Sequence, residues 1–182
     1  MQKFSLKKLE KISKIIKSKG KKVGLCHGVF DIIHAGHISH FEEVKKKCDF
    51  LFVTVTEDRF VNKGPNRPVN SHYFRAKILE SIKLVDAVGI NYSPDAVQSI
   101  NTIKPDFYFK GKDYENKKDL TQRLYKEIKA VKNCKGKFIY TESPLKSSTE
   151  IINKSYSYIY DSKLHKFLSK KNKIPILNKH IK

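Results

Sequence analysis

Residues 22–47 have the sequence KVGLCHGVFDIIHAGHISHFEEVKKK, and this stretch decides the fold that the chain predicts. Residues 22–27 form an apolar run that is typical of a buried strand. Residues 36–47 have helical spacing, with apolar side chains on one face and lysines toward solvent. Residues 28–37 therefore join the end of a strand to the start of a helix, where unpaired N–H groups and the helix dipole favour anions.

Two histidines, His34 and His37, flank Gly36 at the predicted helix start. Their spacing of three places both imidazoles on one side of the turn, so both can reach the same phosphate group. An imidazole donates a hydrogen bond whether it is neutral or charged, and a glycine lets the phosphate approach the backbone closely. The pattern predicts a phosphate-binding site; ordinary surface histidines are the alternative.

Two neighbouring residues leave alternatives open. His40 extends the spacing to His-x-x-His-x-x-His, which would suit a metal site if a fourth ligand or a carboxylate pair accompanied it. None does, so we expect His40 on a solvated helix surface. Asp31 either orients the backbone, which we expect, or binds the Mg²⁺ that accompanies a triphosphate.

The segment from Gly28 to His37 resembles the Gly-x-Phe-Asp-x-x-His-x-Gly-His signature of the HxGH nucleotidyltransferases, also called the cytidylyltransferase-like family. Within that family, the chain is most similar to the adenylyltransferase domains of ADP-heptose synthases. Further blocks at 63–70, at Arg75 and at 110–114 follow in the family's order. The resemblance therefore covers roughly residues 20 to 155.

The resemblance implies transfer of a nucleoside monophosphate from a triphosphate, with ATP favoured, to a phosphorylated sugar such as heptose 1-phosphate, releasing pyrophosphate. It implies ATP or CTP as co-substrate together with Mg²⁺. A CTP-dependent enzyme of the glycerol-3-phosphate cytidylyltransferase type is the alternative. The acceptor phosphate is already anionic at pH 7, so such a site needs fixed hydrogen-bond donors rather than a general base.

The resemblance assigns catalytic roles to His34, His37, Lys63 and Arg75, all directed at the triphosphate. It assigns Arg67 to the acceptor substrate or to loop closure. Arginine is scarce, with four in the chain against 34 lysines, and its planar fork suits phosphate oxygens. For Lys63, Arg67 and Arg75, the alternative is that the side chain is simply solvated at the surface.

The remaining site residues are expected to bind the nucleotide, and no protein-bound metal is expected. They are Gly28, Val29, Phe30, Asp31, Gly36, Lys110, Gly111, Asp113, Ser147, Ser148 and Thr149. A turn cap is the alternative for Asp113, and a plain helix N-cap is the alternative for Ser147–Thr149. The resemblance also implies a difference: Glu142 stands near the position where glycerol-phosphate cytidylyltransferases carry an arginine. This difference weakens the alternative of a glycerol-3-phosphate cytidylyltransferase.

Strand and helix patterns alternate along the chain, which predicts an α/β fold with a doubly wound, parallel, five-stranded, Rossmann-like sheet and helices on both faces. The ligand crevice of such a sheet lies at the carboxyl ends of its strands. The predicted strands are 22–27, 50–56, 85–90, 106–110 and 136–141, and the predicted helices are 5–18, 36–47, 71–84, 94–103, 117–131 and 148–160.

The chain has 182 residues and a net charge of +20, which would ordinarily suggest a nucleic-acid partner. The excess lies at the ends: residues 1–22 carry +8 and residues 161–182 carry +6, so a basic nucleic-acid-binding protein remains only a remote alternative. We expect an N-terminal helix over 1–20, a nucleotidyltransferase domain over 21–160, and a basic tail or linker over 161–182.

No apolar run reaches the roughly 20 residues that span a bilayer, and the three cysteines form no close pair. We therefore expect a cytoplasmic protein with reduced thiols and no membrane span. The resemblance further implies a homodimer and an adjoining or separate sugar kinase.

Overall fold

The computed structural model describes residues 4–64, 66–112 and 121–142. The helices of this part are α1 (Leu6–Ser18), α2 (Ala35–Lys45), α3 (His72–Glu80), α4 (Val97–Ile103) and α5 (Thr121–Asn133), with one 3₁₀ turn at Asp58–Phe60. The strands are β1 (Val23–Gly28), β2 (Phe50–Thr56), β3 (Ala87–Asn91), β4 (Phe107–Gly111) and β5 (Lys137–Thr141). The described residues contain no helix that is long and apolar enough to cross a membrane.

The five strands form one parallel sheet in the order β3-β2-β1-β4-β5. The order reverses direction at β1, since the chain builds β2 and β3 on one side of it and β4 and β5 on the other. This is the predicted doubly wound arrangement, and it is confirmed. The carboxyl ends of β1 and β4 flank the point of reversal, where ligands bind in open sheets of this kind.

Two hydrophobic clusters cover the two faces of the sheet, because alternate residues of each strand point to opposite sides. Leu51 and Val53 of β2 lie in the cluster under α2 and α3, whereas Phe52 lies in the cluster under α1, α4 and α5. Leu9 and Ile16 of α1 belong to that second cluster. The N-terminal helix therefore contributes directly to the core of the sheet.

Helices α3 and α4 depart most clearly from their predicted bounds. Helix α3 ends at Glu80 rather than at residue 84, because successive turns carry Val85 into the core before β3 begins. Helix α4 begins at Val97 rather than at residue 94, because the Asn91 amide donates to the Ser93 and Asp95 carbonyls, both at 2.8 Å, and holds that segment in a turn. The predicted helix over 148–160 lies outside the described residues.

Candidate active site

The histidine pair lies at the N-terminus of α2, beside the carboxyl end of β1. His34 occupies the N-cap position with an extended backbone, and its N–H is 3.4 Å from Nδ1 of His37. The centroids of the two rings are 3.9 Å apart. Because Nδ1 of His37 accepts this weak hydrogen bond, its Nε2 carries the proton in the neutral ring and remains a donor.

Both imidazoles are neutral near pH 7. Burial, followed by the charges of His34, His40 and Lys63, lowers the pKa of His37 to about 3. Burial and the Lys63 cation also lower the pKa of His34. The pair therefore offers neutral N–H donors at a helix N-terminus, with a lysine close enough to influence both rings.

The loop after β1 packs against the histidine pair. Phe30 is buried, has a left-handed backbone with a φ of 51°, and places its ring centroid 5.2 Å from that of His37. Gly28 ends β1, Val29 follows it, and Gly36 lies in the first turn of α2. Their predicted contacts with a nucleotide stay predictions.

His40 does not lie on a solvated helix surface, so that expectation was wrong. Its Nε2 is 3.2 Å from Sγ of Cys26, and its Nδ1 is 2.6 Å from Oγ1 of Thr141. The half-buried ring thus connects α2 to β1 and β5. In the ranges that the structure describes, no three His, Cys, Asp or Glu side chains are grouped so that they could hold a metal ion.

Asp31 is buried and orients the backbone of a distant loop. Its carboxylate accepts hydrogen bonds from the N–H groups of Val69 at 2.9 Å and Asn70 at 3.1 Å, and from Nε of Arg67 at 2.8 Å. Burial alone would raise its pKa, but the donors on Asn70, Val69 and Arg67 hold it below the usual value. A carboxylate with this many donors is an ionised structural anchor.

Arg67 lies inside the protein, with a side chain that is only 6% exposed. Its Nε is bound to Asp31, whereas its Nη2 is buried and has no hydrogen-bond partner. Nδ1 of His34 is also buried and unpaired, and these are the two such side-chain atoms within the described ranges. Buried polar atoms without partners are rare in folded proteins, so both require an explanation.

Arg75 is fully buried, and its guanidinium connects three segments of chain. It donates to the carbonyls of Val29, Thr56 and Asn70, the last two at 2.7 and 2.9 Å, and to the Asp58 carboxylate at 2.6 Å. The alternative of a solvated arginine therefore fails. Its predicted contact with phosphate stays a prediction, which would require these bonds to open.

Lys110, near the end of β4, is also a buried cation that is bound by groups of the protein. Its ammonium is buried, lies 3.2 Å from the His27 carbonyl and forms a 3.5 Å ion pair with Glu127 of α5. The Glu127 carboxylate also accepts the Tyr108 hydroxyl at 2.8 Å and the N–H of Ala96 at 2.9 Å. Burial opposes ionisation of Glu127, but the Lys110 cation and these donors keep its pKa below the usual value.

Glu127 was not identified from the sequence, although a signal was present. It follows buried Leu124 by three residues and precedes buried Val131 by four, so it occupies the apolar stripe of α5. A carboxylate on such a stripe requires a buried partner. The expected nucleotide contact of Gly111, the last residue of β4, stays a prediction, and Asp113 and Ser147–Thr149 lie outside the described residues.

The cytidylyltransferase-like family model matches residues 25–154. The chain is 39% identical to the bifunctional protein HldE of Campylobacter fetus over 137 residues, which are 74% of this chain and 28% of that protein. It is 36% identical to the same protein from Wolinella succinogenes over 131 residues, 71% of this chain and 28% of the relative. The chain thus spans less than a third of the length of these relatives.

Two solved structures share the fold. A lipopolysaccharide core biosynthesis protein from Thermoplasma volcanium matches 69% of this chain and 100% of its own, with a TM-score of 0.57 and 24% identity. The pantoate-beta-alanine ligase of Francisella tularensis matches 82% of this chain and 71% of its own, with a TM-score of 0.58 and 17% identity. At these identities both likenesses concern the fold alone.

Proposed function

Because the chain belongs to the cytidylyltransferase-like family and is a nucleotidyltransferase, we propose that it transfers AMP from ATP to a phosphorylated sugar such as heptose 1-phosphate and releases pyrophosphate. An oxygen of the acceptor phosphate attacks the α-phosphorus. The bond between the α-phosphorus and the oxygen that bridges the α- and β-phosphates breaks, and that oxygen leaves with pyrophosphate. The acceptor is already an anion at pH 7, so no side chain has to remove its proton. The site has to hold two anions together and stabilise the negative charge that develops on the leaving group.

The observation that carries this proposal is the pair of neutral imidazoles, one of which has a buried and unpaired Nδ1. In this proposal Nδ1 of His34 carries the proton of the neutral ring and donates to a phosphate oxygen, and Nε2–H of His37 donates to the same polyphosphate. Both hydrogen bonds strengthen as charge moves toward pyrophosphate, which is the difference between ground and transition state that accelerates a reaction.

The basic residues divide between the two substrates in this proposal. Lys63, which already influences both histidines, neutralises the triphosphate. Arg67 binds the acceptor phosphate through its unpaired Nη2 while Asp31 holds its Nε. Arg75 contributes by holding the Val29 and Asn70 carbonyls in place, since direct contact with phosphate would require its guanidinium to leave them.

Magnesium fits this proposal as a companion of the nucleotide rather than as an ion held by protein. Asp31, the carboxylate nearest the histidines in sequence, has both oxygens engaged by N–H donors. Nucleotide-bound Mg²⁺ is commonly held by phosphate oxygens and water, with few protein ligands. No side-chain ligand to magnesium takes part in the proposed reaction.

The choice of base and acceptor is the finer part of the proposal. Lys110 and Gly111 end β4 beside the crevice, where the backbone can contact the base and sugar. The alternative is a CTP-dependent enzyme that acts on glycerol 3-phosphate. Glu142 favours a sugar phosphate, since it replaces a cation by a carboxylate that pairs with Lys112 at 2.9 Å.

The named relatives are bifunctional and about 3.5 times as long as the matched region, which supports a second activity elsewhere in those proteins. We propose that a sugar kinase, on the same or a separate chain, supplies the phosphorylated acceptor. A homodimer in the cytoplasm stays the expected form of the protein.

The test measures pyrophosphate release with Mg²⁺, crossing ATP and CTP with heptose 1-phosphates, other sugar phosphates and glycerol phosphates, and determines the product masses. Turnover with ATP and a sugar 1-phosphate supports the proposal. Turnover with CTP and glycerol 3-phosphate supports the alternative. A sugar product formed equally well by a His34→Ala/His37→Ala variant would contradict the assigned site.

A further inference from the structure

We propose that Lys110 is a positioning residue that sets the separation of β1 and β4 at their carboxyl ends, and with it the width of the crevice that receives the nucleoside. The inference rests on the proposed function for the identity of the ligand, a nucleoside triphosphate. In this arrangement the Lys110 side chain acts on the backbone of β1 and does not touch the nucleotide.

The pairing of β1 with β4 ends before either strand ends. In the described strands their last pair is Cys26 with Phe109, although β1 continues to Gly28 and β4 to Gly111. On the outer sides, the pairing with β2 and with β5 continues to those final residues. The ladder between β1 and β4 therefore ends two residues short of the carboxyl end of each strand, at the point of reversal where a ligand crevice opens.

The Lys110 ammonium connects β4 to β1 beyond the last pair of this ladder. Its Nζ donates to the His27 carbonyl at 3.2 Å. The Lys110 carbonyl in turn accepts the Thr141 hydroxyl of β5, at 3.4 Å. One residue thus connects three neighbouring strands at the edge where the crevice opens.

Two groups keep the ammonium in this position. The Glu127 carboxylate lies 3.5 Å from it, and the centroid of the Tyr108 ring lies 5.6 Å from it. Glu127 is itself fixed, because the Tyr108 hydroxyl and the Ala96 N–H donate to its two oxygens. The Lys110 and Glu127 side chains are 7% and 5% exposed, so water hardly competes for these contacts. The protein therefore determines the direction of the Lys110 side chain.

Glycines follow both residues that this bond connects. Gly28 follows His27, Gly111 follows Lys110, and each glycine ends its strand. A glycine lets a ligand approach the backbone closely, so the distance between the two backbones decides how a nucleoside fits between them. The histidine pair that binds the phosphates in the proposed function lies instead at the start of α2. Loss of the bond to His27 should therefore weaken binding of the nucleoside and spare that of the phosphates.

The first measurement compares the affinities for ATP and for inorganic tripolyphosphate, both by calorimetry with Mg²⁺, because their ratio reports the contribution of the nucleoside. Lys110→Met removes the donor to the His27 carbonyl and retains an unbranched side chain. We expect it to lower the ratio about tenfold at unchanged tripolyphosphate affinity. CTP takes the place of ATP if the wild-type protein binds CTP more tightly.

A double variant separates positioning from stability. Lys110→Met alone leaves the buried Glu127 carboxylate without its cation, so it should also lower the urea midpoint of unfolding. In Lys110→Met/Glu127→Gln neither side chain is charged, and the amide can accept the Ala96 N–H and donate to the Tyr108 hydroxyl. The urea midpoint should recover, whereas the affinity ratio should stay about tenfold low, because the His27 carbonyl still lacks its donor.

The exposed ion pair of α1 provides the matched control. Lys14 lies 2.7 Å from Glu10, and the two side chains are 70% and 35% exposed. Lys14→Met and Lys14→Met/Glu10→Gln make the same chemical changes outside the site. Both should retain the wild-type affinity ratio and nearly the wild-type urea midpoint, since exposed ion pairs contribute little.

A low ratio in a double variant of recovered stability supports the proposal, and this variant keeps the test available if Lys110→Met alone fails to fold. Three results overturn it: a wild-type ratio in the double variant, equal losses of nucleotide and tripolyphosphate affinity, or no binding of ATP or CTP by the wild-type protein.

The inference and the proposed function fail separately. Absence of turnover with every sugar phosphate would contradict the proposed acceptor and leave the affinity ratios measurable. Conversely, a double variant with a wild-type ratio would overturn the role of Lys110 in a protein that still makes a sugar nucleotide.

Discussion

The two edges of the sheet use aspartates in opposite ways. At the amino edge, each aspartate accepts a backbone N–H at, or just before, the start of a neighbouring strand. Each also forms an ion pair with a lysine that is accessible to solvent. These are Asp49 with Lys21, Asp86 with Lys45, and Asp106 with Lys22, at N···O distances of 2.9 to 3.4 Å. At the carboxyl edge, Asp31 and Asp58 pair with arginines whose side chains are 6% and 0% exposed.

The difference separates an edge whose lysines are in contact with water from an edge whose arginines are buried. Exposed ion pairs contribute little, about 0 to 1 kcal/mol, because water already solvates both charges. Breaking a buried pair costs more, because the remaining group loses its partner without regaining water. The carboxyl edge also contains two buried polar atoms without hydrogen-bond partners, Nδ1 of His34 and Nη2 of Arg67. Substitutions at the two edges should therefore have very different effects.

The largest expected effect is on stability, from Arg75→Met. The change leaves the Val29, Thr56 and Asn70 carbonyls without a donor in a buried location. We expect the free energy of unfolding to fall by about 3–5 kcal/mol, as measured by urea denaturation. Arg123→Met, at an exposed position of α5, is the matched control and should change stability by less than about 0.5 kcal/mol. Equal effects at both positions would remove the contrast.

The next effect is on turnover, from His37→Ala. Loss of one preorganised donor typically lowers kcat about 10²–10³-fold, and we expect that loss in pyrophosphate release with the best substrate pair. Circular dichroism should show a folded protein, since the α2 helix retains Phe41 and Val44 in the core. A folded variant with wild-type kcat would mean that the carboxyl edge does not hold the reacting phosphates at this residue.

The sequence predicted the framework of this edge because strand runs and helix starts are local patterns. The five strands and their doubly wound, parallel arrangement are confirmed, as are the family resemblance and the nucleotidyltransferase class. His34 and His37 lie at the helix start as expected. The roles proposed for them stay predictions, because they depend on a bound substrate.

Contacts between residues that are far apart along the chain could not be predicted from the sequence. Arg75 has the same local pattern whether its guanidinium faces phosphate or three backbone carbonyls, and only the folded chain brings Val29 and Thr56 to it. His40 was expected in solvent, because its neighbours Cys26 and Thr141 are 14 and 101 residues away. Charges that bind distant backbone leave no periodic signal.

A third effect should appear as a dependence of stability on pH. Burial lowers the pKa of His27 and of His37 to about 3, whereas an unfolded histidine titrates near 6.5. The unfolded chain therefore binds more protons below pH 6.5, so the stabilisation present above that pH is lost as the pH falls. At pH 5 each of these two histidines should lower the free energy of unfolding by about 2 kcal/mol relative to its value at pH 7. Urea unfolding between pH 7 and 5 measures this loss, and His37→Gln should show a smaller slope than the wild-type protein.

The smallest effect is expected at the amino edge, from Lys21→Met. Its ammonium lies 3.2 Å from Asp49, but the two side chains are 57% and 36% exposed. Water replaces the lost ion pair, and the Lys22 N–H keeps its 2.8 Å bond to Asp49. We expect a change in unfolding free energy below about 0.5 kcal/mol and an unchanged kcat. A loss of more than about 2 kcal/mol would show that the amino edge also depends on its charges. The contrast between the edges would then lie only in the two unpaired buried atoms of the carboxyl edge.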